Sequence, residues 1–352
     1  MPPDQTIALD AMGGDFGPEA IVPAASLALA EVPGTHFIFF GDEKRIRPLL
    51  DRDSKLKAVS SIVHTDKVIA PDEKPSAALR TGKDSSMRLA IDAVKEGKAG
   101  SVVSGGNTGA LMATAKIVLK TLPGINRPAI ASVFPTLRGE TVMLDLGANI
   151  SCDAEILVQF AVLGAVYARV VRGIENPTVG LLNVGSEEMK GHDQLRAASA
   201  ILSQVQFPGR YYGFIEGNDI PEGKVDVVVT DGFTGNVALK VAEGVGQLTR
   251  KYLREAINSS PLAMLGAFLA RAALKRASRK MDPRTHNGGM FLGLAGICVK
   301  SHGSMDKYGF ARAIVVAARL VSQGYNDRVA KEIDTLMHQE SFIAALAQAG
   351  GA

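Results

Sequence analysis

The residue pattern predicts an α/β protein of the layered, Rossmann-like kind, a mostly parallel sheet with helices on both faces. Three observations carry that expectation. Short apolar runs rich in β-branched residues recur along the chain, longer helical patterns separate them, and small polar residues close almost every run. Strands covered on both faces read as nearly unbroken apolar runs, and helical crossovers are what join parallel neighbours. With 352 residues, 46% hydrophobic and 21% charged, the chain is long enough for one large core, so 1–352 is read as a single α/β domain.

In chain order the expected strands are "TIALDA", "THFIFFG", "AGSVVSGG", "AIASVFP", "TVMLDLGAN", "TVGLLNVG", "YYGFIEGN", "VDVVVTDG" and "GICVKSHG". They end in "DAMGGD", "SGGNTG", "LDLGAN", "NVGSEEMKG", "TDGFTGN" and "KSHGS". In open α/β sheets the carboxyl edge is where ligands bind, so these turns are expected to gather there. The one shift in composition is residues 250–280, which hold eight Lys or Arg and a single acid, Glu255. There Leu262, Leu265, Leu269 and Ala272 share a helical stripe flanked by Arg271, Lys275 and Arg279, with Arg276 on the stripe itself. Residues 250–285 are therefore read as an amphipathic helical excursion.

Composition excludes several classes. A formal charge of +3 and 5% aromatics without Trp argue against nucleic acid as a partner. Cys152 and Cys298 make neither a disulfide framework nor a metal cluster; they fit a reducing compartment and are read as packing residues. The N-terminus lacks the basic start and apolar stretch of a signal peptide, and no run of about 18 uncharged apolar residues is present, so a cytoplasmic chain is expected. A dinucleotide fingerprint would need Gly where Ser104 stands and an acid after the next strand. "TGKD" lacks the remaining residues of a P-loop, the six histidines lack metal-ligand spacing, and no nucleophile elbow is present. No cofactor and no metal are expected.

"SGGNTG" instead offers Gly105, Gly106 and Gly109 with Asn107 and Thr108 at the start of a helix. Unpaired amides and the helix dipole hold a small anion there without a nearby charge; the structural alternative is a tight turn whose glycines only permit unusual φ. "DAMGGD" places Asp10 at a strand end and Gly13, Gly14 and Asp15 in the turn, as ligand groups or as caps. Lys190 follows a strand and neutralises phosphate or an oxyanion, unless it is a solvated surface lysine. Asp231, Thr234, Gly235 and Asn236 precede a helix, as a ligand loop or as a capped turn.

Seven ordered blocks, "IALDAMGGDFGP", "EKPSAALRTGKDSSM", "SGGNTGALMA", "LDLGAN", "LLNVGSEEMKG", "DGFTGNVALKVAEG" and "GICVKSHGS", resemble the PlsX family of acyl carrier protein:phosphate acyltransferases of bacterial phospholipid synthesis. They run from residue 7 to about residue 304, nearly the whole chain. The resemblance implies conversion of an acyl-[acyl carrier protein] and inorganic phosphate into acyl phosphate and free carrier protein. It also implies a homodimer, loose contact with the inner face of the cell membrane, a membrane glycerol-3-phosphate acyltransferase downstream, and a fold like that of phosphotransacetylases and isocitrate dehydrogenases. The chain departs from the family in Gly105, where Ala is common, in Ser186, where Glu is common, and in "GGMFLG", which replaces "GGAPLLG". Met290 and Phe291 are expected to reshape an apolar channel.

Phosphate is itself the nucleophile and a thiolate leaves well, so this chemistry needs an anion site and an oxyanion donor rather than a nucleophilic side chain. The catalytic set expected is Asn107 and Thr108 on phosphate, Lys190 offsetting charge, Asn149 or Asn236 donating to the thioester carbonyl, and Asp231 orienting partners. Asp10, Gly13, Gly14, Asp15, Gly105, Gly106, Gly109, Gly185, Thr234, Gly235 and His302 complete the substrate site. Leu265, Phe268, Leu269, Arg271, Lys275, Arg276 and Arg279 are expected to meet an acidic carrier protein, the membrane or a second subunit. Two alternatives stand beside this reading: a phosphotransacetylase-like enzyme using a coenzyme A thioester, and a non-enzymatic membrane scaffold.

Overall fold

The computed structural model describes residues 5–280 and 288–350. The chain begins with β1 (Thr6–Asp10), α1 (Pro18–Glu31), β2 (His36–Gly41), α2 (Glu43–Leu50), α3 (Ser54–Ala58) and β3 (Ser60–His64). It continues through α4 (Pro75–Thr81), α5 (Ser86–Lys95), β4 (Ser101–Ser104), α6 (Thr108–Leu119), β5 (Ala129–Thr136), β6 (Gly139–Leu144) and α7 (Ala154–Arg172). Then come β7 (Thr178–Leu182), α8 (Asp193–Leu202), β8 (Arg210–Ile215), α9 (Asp219–Glu222), β9 (Val227–Val229), α10 (Gly232–Asn258), α11 (Pro261–Leu269) and α12 (Arg271–Lys280). β10 (Gly289–Leu292), β11 (Ile297–Lys300), α13 (Lys307–Ser322), α14 (Tyr325–Met337) and α15 (Glu340–Gly350) end it. Local chemistry sets many of the helix starts. Asp42, Asp53, Ser85, Asn107, Asp153 and Asp231 each accept an amide of the first turn through the side chain, and Pro18, Pro75 and Pro261 open helices at their first position.

All nine expected strands form, and β3 and β10 join them. The eleven strands make one sheet in the order β3-β2-β1-β4-β11-β10-β5-β6-β9-β7-β8. β3, β2, β1, β4 and β11 are mutually parallel, and so are β6, β9, β7 and β8. Between the two blocks, β10 is antiparallel to both β11 and β5, and β5 is antiparallel to β6. The second block therefore runs opposite to the first, which corrects the expectation of one shared carboxyl edge. The reason is short connections: Leu137 and Arg138 alone separate β5 from β6, far too few for the crossover that parallel neighbours need. Met290 and Phe291 lie buried within β10, as core of the sheet rather than lining of a channel.

α7 is the centre of the core. Phe160 and Tyr167 are fully buried on it, and Tyr167 meets the Tyr325 ring edge-on, with centroids 6.3 Å apart. It is long and apolar enough to span a bilayer by composition, yet most of it is buried inside the molecule. Each such aromatic contributes about 1.5–3 kcal/mol relative to exposure. The excursion differs from a single amphipathic helix. Residues 250–258 belong to α10, the chain turns at Ser259 and extended Ser260, and Ala270 interrupts the stripe between α11 and α12. Only Gly232 and Gly235 of α10 are buried, and no residue of α11 is.

Candidate functional site

Three turns of the first parallel block converge. Asp10, Ser104 and Lys300 end β1, β4 and β11 at one register level. Asp10 Oδ1 accepts from Ser86 Oγ and Oδ2 from Ser104 Oγ, each at 2.6 Å, and Ser104 Oγ accepts from the Gly106 amide at 3.0 Å. Burial raises the carboxyl pKa of Asp10, while the two hydroxyls, the Met12 amide and the charge of Lys300 pull it down. The same burial lowers Lys300 to about 8. Above this row the turns touch backbone to backbone. A Cβ on Gly13 would lie 2.6 Å from Asp10 Oδ2 and 2.7 Å from the Gly106 nitrogen, and one on Gly14, where φ is +87°, would lie 2.9 Å from the Gly303 carbonyl. The Asp15 amide donates to that carbonyl at 2.9 Å. Gly105 packs against the Gly13 carbonyl, and His302, next to Gly303 in sequence, stands exposed with Nδ1 2.9 Å from Ser304 Oγ. Asp10, Gly13, Gly14, Asp15, Gly105 and Gly106 are thus brought together, and His302 sits in the third turn beside Gly303.

Asn107 has a different role from the expected one. Its Oδ1 caps the Ala110 amide at 3.0 Å, and its Nδ2 donates to the carbonyls of Pro71 at 2.8 Å and Glu73 at 2.9 Å. Both ends of the side chain are committed, so it clamps segment 70–75 over the start of α6. Pro75 Cγ would meet a Cβ on Gly109 at 3.0 Å, which closes the same contact. Thr108, one residue on, is exposed.

The remaining expected residues form a second cluster at the carboxyl ends of β6, β9 and β7, on the opposite edge of the sheet. Its organiser is Asp145, which follows β6 and which the sequence reading passed over. Asp145 Oδ1 accepts the amides of Ile130 at 3.0 Å, Gly147 at 3.2 Å and Ala148 at 2.9 Å; Oδ2 accepts the Asn149 amide at 2.7 Å and Asn149 Nδ2 at 2.8 Å. Burial raises its pKa against these bonds. Asn149 Nδ2 also donates to the Pro128 carbonyl at 2.8 Å. With both amide protons used inside the loop, Asn149 is a structural residue rather than a carbonyl donor. Asp231 caps α10 on the Thr234 amide at 2.9 Å and accepts Thr234 Oγ1 at 2.8 Å, which commits both side chains. A Cβ on Gly235 would lie 1.9 Å from the Asp145 carbonyl. Asn236, half-buried beside Gly147, has an amide with no partner among the described residues. Lys190 is exposed, its stem against Gly185.

No hydrogen bond among the described residues joins the two clusters. Leu265, Phe268, Leu269, Arg271, Lys275 and Arg276 are exposed on α11 and α12, with the Arg271 guanidinium 5.0 Å from the Phe268 ring centre; the Arg279 side chain lies outside the described residues. The sequence reading also missed Lys300. Its signal was a lysine at the end of an otherwise apolar strand, "GICVK", where a charge is costly unless it is used.

Comparison with known proteins fits this geometry. The model of the family described as fatty acid synthesis protein matches residues 5–328. A phosphate acyltransferase of Rhodospirillum centenum is 58% identical over 330 residues, covering 94% of this chain and 93% of that protein. Another, of Paramagnetospirillum magneticum, is 54% identical and covers 95% of each. Among solved structures, a phosphotransacetylase from Streptococcus pyogenes superposes with a TM-score of 0.59 at 18% identity over 90% of this chain and 94% of that one. A branched-chain phosphotransacylase from Enterococcus faecalis gives 0.55 at 16% identity over 90% and 99%. At such identity these two share the fold. Seven motifs in order, the turns they build and a family match over nearly the full length lead to one assignment: the chain belongs to the fatty acid synthesis protein family, the PlsX phosphate acyltransferases, and is an acyltransferase enzyme.

Proposed function

We propose that this enzyme moves the acyl group of a long-chain acyl-[acyl carrier protein] onto inorganic phosphate, releasing acyl phosphate and free carrier protein for glycerophospholipid synthesis. One observation carries the reading: three glycine-rich turns converge over the first turn of α6, above a buried row of polar and charged residues. A phosphate oxygen attacks the thioester carbonyl, the new C–O bond forms, the C–S bond breaks, and the thiolate leaves to take a proton from solvent. The amides at the start of α6 and the helix dipole hold the anion. No thiol of the enzyme is needed. Cys152 and Cys298 are buried, and burial pushes the Cys152 thiol up to about 12.

The carbonyl-side donor in this proposal is Asn236, with its uncommitted amide. Asn236→Ala is expected to lower release by about 10²-fold, the scale of one lost oxyanion donor; a loss of less than about twofold would confine the chemistry to the first cluster. Assays with acyl carrier protein and coenzyme A thioesters under equal conditions test the donor, and faster phosphate-dependent release from the coenzyme A thioester would overturn the carrier-protein reading.

The working enzyme is proposed to be a homodimer at the cytoplasmic face of the cell membrane, handing acyl phosphate to a membrane glycerol-3-phosphate acyltransferase. Support comes from two exposed surfaces. Val237, Val241, Val245, Leu248 and Tyr252 line one exposed stripe of α10, and α11 presents Leu262, Leu265, Phe268 and Leu269 next to basic α12. Apolar stripes of this length on a soluble protein mark interaction surfaces.

A further inference from the structure

Lys300 stands level with Ser104 on the neighbouring strand, and Ser104 stands level with Asp10 on the next. Residues at one register level of a parallel sheet project to the same face. The contacts agree: Ser104 Oγ reaches Asp10, and Lys300 Nζ reaches the Gly105 carbonyl at 3.2 Å and also the Ser301 carbonyl. An ammonium has three protons to donate. Those two carbonyls are its hydrogen-bond partners among the described residues, which leaves one proton to give to solvent or to a ligand. Asp10 is not a third partner. Its oxygens are taken by Ser86 and Ser104, and no direct ion pair joins it to Lys300. Lys300 is half-buried, and a half-buried ammonium at the end of an apolar strand, beside a glycine-rich turn, is placed to meet an anion.

We propose that Lys300 is the cation of the phosphate site, donating its third ammonium proton to a phosphate oxygen held over the 105–108 turn. The inference rests on the phosphate-transfer reading above and moves the charge-offsetting role from exposed Lys190 to this residue. It also accounts for a turn without charge of its own: the charge comes from the strand beneath it, through the Gly105 carbonyl that the same ammonium holds. Asp10, Asp15 and the Cys298 thiol are the titratable groups that face Lys300.

The test uses the full chain and inorganic phosphate as the calorimetric probe, with Lys300→Met, Lys300→Arg and the double variant Asp10→Asn/Lys300→Met. Lys300→Met is expected to weaken phosphate binding by at least about tenfold. In the release assay it should raise the KM for phosphate while the KM for the thioester stays within about twofold. Lys300→Arg should restore part of the affinity and hold it to about pH 9, where most of the wild-type lysine has lost its proton. The double variant buries neither charge, so it tests binding even where the single variant fails to fold. Phosphate affinity within about twofold of wild type in Lys300→Met or in the double variant, or identical pH profiles for lysine and arginine, would overturn the assignment. A wild type that binds phosphate but releases no carrier protein would overturn the transfer reaction and leave this comparison intact.

Discussion

Asn107 shows how one side chain at a helix start is read differently from sequence and from structure. Its position just before the helical pattern in "SGGNTG" was legible, and so was a capping role; its grip on the carbonyls of Pro71 and Glu73 was not, because segment 70–75 lies more than 30 residues away in sequence. Asn107→Ala is expected to cost about 1 kcal/mol of stability through the lost cap and to make segment 70–75 a faster site of protease cleavage, both measurable on the purified chain. Gly235→Ala tests the second cluster. Its Cβ would sit 1.9 Å from the Asp145 carbonyl, so the loop must shift, and a stability loss of about 1–3 kcal/mol or more is expected in denaturant titration. Lys300 makes a pH prediction. Its pKa falls from 10.5 to about 8 on folding, so across that window the unfolded chain binds a proton that the folded chain has lost. Stability from this group therefore rises with pH between about 8 and 10.5, and Lys300→Met should flatten that rise in Tm.

At the scale of elements, strand existence was the legible part and strand direction was not. Runs such as "TVMLDL" and "VDVVV" are apolar because both faces are covered, and that holds whichever way the neighbour runs. The cue to reversal was the five-residue gap "TLRGE" between two expected strands, too short for a helix. β3 escaped notice because "SSIVH" is a partly exposed edge strand with only two strong β formers together. The long helix α10 carries its own prediction. Glu at both Val241 and Val245, which are 59% and 56% exposed, should convert a dimer to a monomer in light scattering without lowering the Tm of the monomer. Replacing Arg271, Lys275, Arg276 and Arg279 by Ala should raise the apparent KM for acyl carrier protein with little change for phosphate; equal effects on both would contradict a docking role for α12.

For the whole molecule, two opposed parallel blocks divide the motif loops between two edges of one sheet. "DAMGGD", "SGGNTG" and "KSHGS" build the first cluster, where we place the anion; "LDLGAN" and "TDGFTGN" build the second around Asp145. Ordered motifs sufficed to expect the family, since the resemblance depends on local text. The division of those motifs over two edges depends on pairings between β10, β11 and β5 that no local pattern encodes. Transfer of an acyl group to phosphate is the claim that unites the clusters, the exposed helices and the family. Its most direct test is phosphate-dependent release of free carrier protein from a long-chain acyl-[acyl carrier protein], with hydroxylamine trapping the acyl phosphate, for wild type and Lys300→Met at subsaturating phosphate. The expected result is release that requires phosphate and falls at least about tenfold in the variant, a barrier change of roughly 1.4 kcal/mol. A folded wild type that releases no carrier protein when phosphate is added would contradict it.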